Sequence, residues 1–248
     1  MHTAHFWHQL HLYWKKIIFV LVSLIFLTTG IGKAQIQREI NLPDSDEKWL
    51  RYGFVLGGHF SGYRIKYSPE FVQPSMDTVQ SIQAPNLPGF SLGFLLNLRL
   101  AKYADLRLMP KVGFYEHELV YTYTNRENSR QMVESTIVEF PLLLKYKSAR
   151  RGNVRMYMVG GVNPTIRASG KKDREDRSED RLLIKNTNLA VEYGFGFDLY
   201  YPLFKFSPEI RFSHGLVNLL RPERNNIYGA GLNSVTAHSI SLYLIFSD

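Results

Sequence analysis

In several stretches of this sequence, charged side chains and apolar side chains keep to opposite parities. Between Thr187 and Leu199, Glu192 and Asp198 have the same parity, while Leu, Val, Tyr and Phe occupy the other. Successive side chains of a β-strand point to opposite faces, so each such stretch has one polar and one apolar face. An isolated buried charge is costly, so opposite charges that share a narrow interior form ion pairs. Arg107, Lys111 and Arg155 lie on the same polar face. We predict that this face forms an ion-paired network in the lumen, and the alternative is an ion or proton path. The predicted network consists of Arg99, Glu139, Lys145, Glu192, Asp198, Glu209 and Arg211.

The other reactive side chains form no pattern that points to catalysis or metal binding. The chain has no cysteine, which excludes disulfides and thiolate chemistry. His117 stands between Glu116 and Glu118, but in a strand the two glutamates share one face and the histidine points away. We therefore interpret His117 as an interfacial or bulge residue. The sequence predicts no catalytic residue, no cofactor, no metal site and no small-molecule substrate.

The net charge of +8 could suit a nucleic-acid partner. However, the basic residues are scattered among acids, and no basic stripe with interleaved aromatics is present. The run from Lys171 to Arg181 holds five basic and five acidic residues, which cancel. This pattern is typical of a solvated loop, and we exclude nucleic acid as a partner.

The alternation that carries the charged residues recurs in eight segments, of which Phe90 to Leu100 is the clearest. The connections after the second, fourth and sixth segments are short, and the others are long. Bacterial outer-membrane barrels have an even number of strands, short periplasmic turns and longer outer loops. We therefore predict, for residues 51–248, an all-β fold: an eight-stranded antiparallel up-and-down transmembrane β-barrel, integral to the outer membrane, with both termini periplasmic. The alternative is a soluble lipocalin-like barrel, which gives no reason for the alternating loop lengths.

Two features disturb the regular alternation. Pro110, Pro141 and Pro208 fall inside predicted strands, and proline cannot donate a ladder hydrogen bond, so we expect bulges or strand ends there. The apolar parity also changes near residues 115–118, which predicts a further bulge.

The N-terminus resembles a secretory signal. Lys15 and Lys16 precede the apolar run from Ile17 to Leu27, and small residues follow before Gln35. A transmembrane anchor is the alternative, but a spanning helix needs roughly 20 apolar residues. We predict a signal peptide over residues 1–34 and a periplasmic lead-in over residues 35–50.

Two motifs carry a resemblance to a known family. The segment EFPLLLKY covers residues 139–146, and FSPEIRFSHGLVNL covers residues 206–219. Both are similar to the PorT-type outer-membrane barrels of the Bacteroidetes, the second more specifically, and the resemblance extends over roughly residues 50–248.

The resemblance implies a non-enzymatic component of type IX protein secretion, required also for gliding in motile species. An eight-stranded lumen is too narrow for folded cargo, so an accessory or assembly role is expected. The implied partners are outer-membrane lipid, lipopolysaccharide and other secretion-system proteins. A structural or adhesive barrel without a secretion role is the alternative, and a lipid-modifying enzyme is a third. The expected partner contacts are the exposed residues Arg150, Arg151, Arg221, Glu223, Arg224 and Asn225.

Overall fold

The computed structural model describes residues 40–72, 79–123, 129–168, 184–220 and 231–248. The predicted signal peptide and the start of the lead-in lie outside these residues. The described chain forms two short 3-10 turns, Pro43–Asp46 and Pro69–Val72, and eleven strands. The strands are β1 Leu50–Tyr67, β2 Val79–Gln83, β3 Leu87–Arg99, β4 Ala104–Leu108, β5 Lys111–Tyr123, β6 Ser129–Glu139, β7 Leu142–Lys147, β8 Val154–Ala168, β9 Thr187–Tyr200, β10 Lys205–Gly215 and β11 Leu232–Ser247.

The strands pair in a closed antiparallel ring. β1 pairs with β3 on one side and with β11 on the other, and β8 to β11 follow one another around the wall. β3 pairs with both β4 and β5, and β8 pairs with both β6 and β7. We call each strand position around the ring a stave. β4 and β5 together form one interrupted stave, and β6 and β7 form another, so the ring has eight staves. The small β2 pairs with β5 outside the ring.

The structure has eleven strands and not the predicted eight, because two prolines each divide one stave and β2 is an additional strand outside the ring. Pro110 lies between β4 and β5, and Pro141 lies between β6 and β7. Both use their carbonyls, accepting from the backbone N–H groups of Phe94 and Met109, but neither can donate to the ladder. Pro208 behaves differently, because it stays inside β10 opposite Leu244.

The barrel wall is apolar on its outer face and polar on its inner face, the reverse of a soluble protein. The outward residues Tyr52, Phe54, Leu56 and Phe60 of β1 are large, apolar and exposed, and Phe94 on β3 is 70% exposed. The residues between them face inward, and many are charged and buried, as Arg51 and Arg107 are. A large contiguous apolar surface is rare on a soluble protein, so this band is informative. Among the described residues, no helix is long and apolar enough to cross a membrane.

The interior changes character along the barrel axis. We call the end with connections 100–103, 148–153 and 201–204 the turn end, and the opposite end the loop end. Near the loop end the inward side chains become apolar and form one cluster of Tyr63, Ile82, Leu119, Tyr121, Tyr123, Ile184, Leu219, Leu232 and Val235.

This apolar cluster corrects the expected bulge near residues 115–118. The register between β5 and β6 runs unbroken from Lys111 to Tyr121. Leu119 and Tyr121 therefore face inward with the same parity as Lys111. The apolar parity changes because the interior itself changes from polar to apolar, not because the strand slips.

Candidate functional site

Residues 40–48, which we call the latch, fold across the turn end of the barrel. The Asn41 backbone N–H donates to Asn153 Oδ1 (2.9 Å), and Asn41 Nδ2 donates to the Tyr200 carbonyl (3.0 Å). Leu42 has a left-handed φ of 49°, which is uncommon for a non-glycine residue, and its carbonyl accepts from Arg150 Nη1. Ser45 is buried beneath the turn. The latch thus has specific contacts with the last short connections of the barrel.

Asp46 is the charged contact of the latch with the barrel wall. Arg155 Nη1 and Nη2 donate to the two carboxylate oxygens of Asp46 at 2.8 and 2.6 Å, and Tyr200 Oη donates at 3.1 Å. Burial raises the pKa of the Asp46 carboxyl, but Arg155 and Tyr200 outweigh it and hold the pKa below its ordinary value. A bidentate guanidinium pair is both strong and directional, so it fixes the latch in one position.

Asp105 forms the first buried cluster above the latch. Arg51 Nη2 donates to it at 2.7 Å, Lys147 Nζ at 2.6 Å and Asn97 Nδ2 at 2.9 Å. These side chains come from β1, β3, β4 and β7. Arg51 Nη1 also donates to the Ser45 carbonyl, so this cluster connects to the latch.

Asp198 forms a second cluster on the opposite wall. Lys145 Nζ lies 2.8 and 2.7 Å from its two carboxylate oxygens, and Ser207 Oγ donates at 2.7 Å. The Lys145 ammonium also lies 3.6 Å from the centroid of the Tyr157 ring, and the electron-rich face of an aromatic ring attracts a cation.

Arg211 joins two glutamates at mid-height. It donates to Glu209 through Nε (2.9 Å) and Nη2, and to Glu192 through Nη1 (3.0 Å). Glu209 also accepts from Arg107 Nη1 at 2.6 Å. The Arg211 guanidinium lies 4.4 Å from the centroid of the Tyr243 ring. One cation thus neutralises acids on two neighbouring strands.

Glu139, at the end of β6, extends this chain of contacts to the β5 and β6 side of the barrel. It accepts from Lys111 (2.8 Å), from Asn163 Nδ2 (2.6 Å) and from Tyr115 Oη (2.5 Å). Asn163 also donates to Glu192 at 2.7 Å, which connects Glu139 to the Arg211 group.

These contacts form an ion-paired polar filling of the lumen. Each of the carboxylates Asp105, Glu139, Glu192, Asp198 and Glu209 accepts hydrogen bonds from at least two side chains. All five are buried. A buried charge needs such pairing, and these hydrogen bonds fix the orientation of each carboxylate. Among the described residues, no group of three or more His, Asp or Glu side chains could hold a metal ion.

A small cavity of about 50 Å³, lined by both polar and apolar side chains, lies between this filling and the apolar cluster of the loop end. Ser61, His117, Asn163, Asn188 and Ser213 are among its lining residues. His117 Nδ1 and Asn163 Oδ1 are buried there without a protein hydrogen-bond partner among the described residues. A buried water needs roughly 10–15 Å³, so the cavity has room for a few waters and is too small for a sugar or a peptide.

The comparisons with known proteins bear on the fold. A family described as "Outer membrane protein beta-barrel domain" matches residues 34–221, which is most of the chain. This chain belongs to that family.

No curated protein matches this outer membrane β-barrel protein. Solved structures similar to it include the outer membrane protein OprG from Pseudomonas aeruginosa, with 15% identity, a TM-score of 0.43 and coverage of 79% of this chain and 93% of that one. Ail of Yersinia pestis has 12% identity, a TM-score of 0.35 and coverage of 80% and 98%. The outer membrane protease OmpT from Escherichia coli has 9% identity, a TM-score of 0.42 and coverage of 80% and 95%. We draw no functional argument from these likenesses.

Membership in this family explains the exposed apolar band on the outer face of the barrel. Outward apolar residues of β1 extend from Tyr52 to Phe60, and the next outward side chains toward the loop end are Arg64 and Lys66. At about 3.3 Å per residue and a tilt of about 40°, that interval is about 20 Å high. The lipid-facing band of such barrels is about 25 Å tall, so the band is the lipid-facing surface of the protein.

The structure places the predicted lumen residues in two groups. Glu139, Lys145, Glu192, Asp198, Glu209 and Arg211 are buried and joined by the contacts above. Arg99 is not brought to them, since it ends β3 half-exposed at the turn end, where its backbone N–H donates to the Trp49 carbonyl. His117 is not at an interface but is buried in the lumen, its ring 4.2 Å from that of Tyr63.

Several lumen residues were not in the predicted set. Asp105 has the inward parity of Arg107, and Lys147 has that of Lys145, so strand parity alone could have identified both. Asp46 lies before the first strand, where no periodicity exists, and only the fold shows its role.

The residues expected to contact partners differ in their positions. Arg150 is occupied by the latch, because it donates to the carbonyls of Asn41 and Leu42 and lies over the Tyr200 ring. Arg151 is exposed in the 148–153 connection. Arg221, Glu223, Arg224 and Asn225 lie outside the described residues.

Proposed function

We propose that this outer membrane β-barrel protein is a non-enzymatic accessory component of a secretion machine and acts through its outer surfaces, not as a conduit. The observation that carries the proposal is the filled interior. The latch lies across the turn end, ion pairs occupy the middle and apolar side chains pack near the loop end. An eight-stave interior is only wide enough for side chains, so cargo would have to pass elsewhere.

The machine we propose is the type IX secretion system, with a role in gliding in motile species. This assignment rests on the resemblance of residues 139–146 and 206–219 to the PorT-type family. Both segments also build the lumen, since Glu139, Lys145, Glu209 and Arg211 lie in them. The motifs therefore support a barrel of this construction as well as a secretion role, and the alternative of a structural or adhesive barrel needs a direct test.

The proposed orientation places the short connections and both termini in the periplasm, as is usual for bacterial barrels. In that orientation Arg151 is available to periplasmic partners. Arg221, Glu223, Arg224 and Asn225 lie outside the described residues and remain proposed partner contacts from the sequence. Arg150 is a weaker contact candidate than the sequence suggested, because its guanidinium already holds the latch.

The test is a secretome comparison between the parent strain, a clean deletion and the deletion complemented with the wild-type gene. Mass spectrometry of culture supernatants should show loss of proteins with C-terminal sorting domains in the deletion, their accumulation in the periplasm, and recovery on complementation. A matched pair of complementing variants, Arg151→Glu and Lys102→Glu, reverses charge at two exposed turn-end sites. We expect only Arg151→Glu to reduce secretion.

An unchanged secretome in the deletion would contradict the secretion role. Loss of envelope integrity or of surface binding with normal secretion would then support the structural or adhesive alternative. A lipid A mass spectrum that differs between the deletion and its parent would contradict the non-enzymatic assignment.

A further inference from the structure

The outward side chains change from apolar to charged at the upper border of the lipid-facing band. Phe60 on β1, Ile240 on β11 and Phe212 on β10 are register partners near this border. Toward the loop end, the next outward positions of β10 and β11 carry His214 and His238, and those of β1 carry Gly62 and then Arg64 and Lys66. We call this group the basic rim, and it consists of Arg64, Lys66, His214 and His238.

The basic rim is a continuous surface across adjacent strands. His238 lies opposite Gly62 on one side and opposite His214 on the other, and Arg64 lies opposite Thr236. Arg64, Lys66 and His214 are exposed. At and above Phe60, the outward positions of the described parts of β1, β10 and β11 carry no carboxylate. Arg64 and Lys66 are the cations of the rim at neutral pH, and no carboxylate on these outward positions neutralises them.

The opposite wall has the reverse charge at the same border. Above Phe114, the outward positions of β5 are Glu116 and Glu118, and Glu134 on β6 is the register partner of Glu116. An anion at the membrane border is attracted to Arg64 and Lys66 and is repelled by the exposed Glu116 and Glu134 on the opposite wall.

Apolar side chains lie directly below the rim. Tyr193 is half-exposed on β9, its hydroxyl 3.2 Å from His214 Nε2, and its ring stacks on that of Phe212. Phe60 is 61% exposed, and above it the Asn86 amide occupies the space that a side chain at Gly62 would fill. A ligand that fits this surface combines an anionic head with an apolar tail.

We infer that the basic rim binds the phosphate groups of a phosphorylated glycolipid of the outer leaflet, with its acyl chains against Phe60, Phe212 and Tyr193. Arginine and lysine are the usual ligands of phosphate, and each basic residue near an anionic lipid surface adds to the attraction. The inference rests on the proposed orientation, in which the loop end faces outward. It assigns the lipid to one side of the barrel, next to β1, β10 and β11.

The test uses the purified full-length protein in detergent, with diphosphoryl lipid A as the probe and native mass spectrometry as the readout. We expect the wild type to retain lipid A and to discriminate against its dephosphorylated form. The double variant R64Q/K66Q should bind lipid A more weakly by on the order of tenfold or more. The matched control K102Q/R151Q removes two exposed charges at the turn end and should bind as the wild type does. Heat-modifiable migration on gels verifies that each variant is folded.

Equal binding by R64Q/K66Q and the wild type would overturn the inference, as would equal loss in the control pair. Equal retention of dephosphorylated lipid A would overturn the phosphate contact. Full competition by millimolar inorganic phosphate would indicate a free-phosphate site instead of a lipid site. Because this assay needs no secretion machine, its failure would leave the secretome result unaffected, and the reverse also holds.

Discussion

At the scale of the residue, Arg211 is the cation on which two buried carboxylates depend. Substitution by methionine keeps much of the volume but leaves Glu192 and Glu209 with one cationic or amide partner each, Asn163 and Arg107. Removing one partner of a buried ion pair costs about 3–5 kcal/mol, because the remaining charge stays desolvated. We therefore expect Arg211→Met to lower the free energy of unfolding by about that amount, measured by urea titration in lipid vesicles.

The control for this variant is Arg151→Met, because Arg151 is exposed in a turn. Such surface substitutions change the free energy of unfolding by less than about 0.5 kcal/mol. An effect of Arg211→Met as small as that of the control would show that the lumen pairs contribute little.

Asp46 makes the docking of the latch dependent on pH. Burial raises the pKa of this carboxyl, but Arg155 and Tyr200 together lower the pKa by more than burial raises it. The pKa in the folded state therefore lies below the ordinary 3.8. A group with a depressed folded pKa stabilises the folded state above its unfolded pKa, and this contribution is lost as the pH falls through the folded value. The difference in unfolding free energy between the wild type and Asp46→Asn should be constant at neutral pH and shrink below about pH 4. A difference that grows on acidification would contradict this assignment.

The parity of the alternation was enough to place Glu209 and Arg211 on one face of a strand. It could not predict that Arg107, about a hundred residues earlier, completes the group. Partners across a lumen depend on the stagger of the whole ring, which no local pattern contains.

At the scale of the element, the packing of β7 against β8 depends on a glycine. A Cβ at Gly161 would lie 2.1 Å from the Leu142 carbonyl oxygen and 2.8 Å from Leu143 Cα, and backbone atoms cannot move aside as a flexible side chain could. At the neighbouring Gly160, a Cβ would meet only the Glu192 carbonyl oxygen at 3.9 Å.

Gly161→Ala should therefore destabilise the barrel by about 1–3 kcal/mol, as overpacking does. Gly160→Ala should change the free energy of unfolding by no more than about 0.5 kcal/mol. Urea titration of both variants measures the difference, and equal effects would show that β7 does not approach β8 as closely as described.

The elements themselves show what the sequence could predict. The alternation between Thr187 and Leu199 predicts a strand, and β9 occupies that segment because the pattern is unbroken along it. The breaks at Pro110 and Pro141 were predicted only as irregularities. Proline removes a donor wherever it stands, but whether the strand ends or continues, as at Pro208, depends on the neighbouring strand.

At the scale of the whole molecule, the interior is built in three layers. Latch contacts close the turn end, ion pairs fill the level of the lipid-facing band, and an apolar cluster fills the loop end. The apolar layer misled the strand analysis, because it places Leu119 and Tyr121 on the face that is polar further down. An axis-dependent interior cannot be recognised until the strands are aligned side by side.

The central claim is that this barrel is filled by its own side chains and is not a conduit. The most direct test is single-channel recording of the purified full-length protein in planar bilayers, with insertion of folded protein verified by heat-modifiable migration of the same sample. A filled lumen predicts no discrete conductance steps above the bare bilayer. Reproducible ohmic steps that scale with salt concentration would contradict the claim and restore the ion path as the function of the lumen charges.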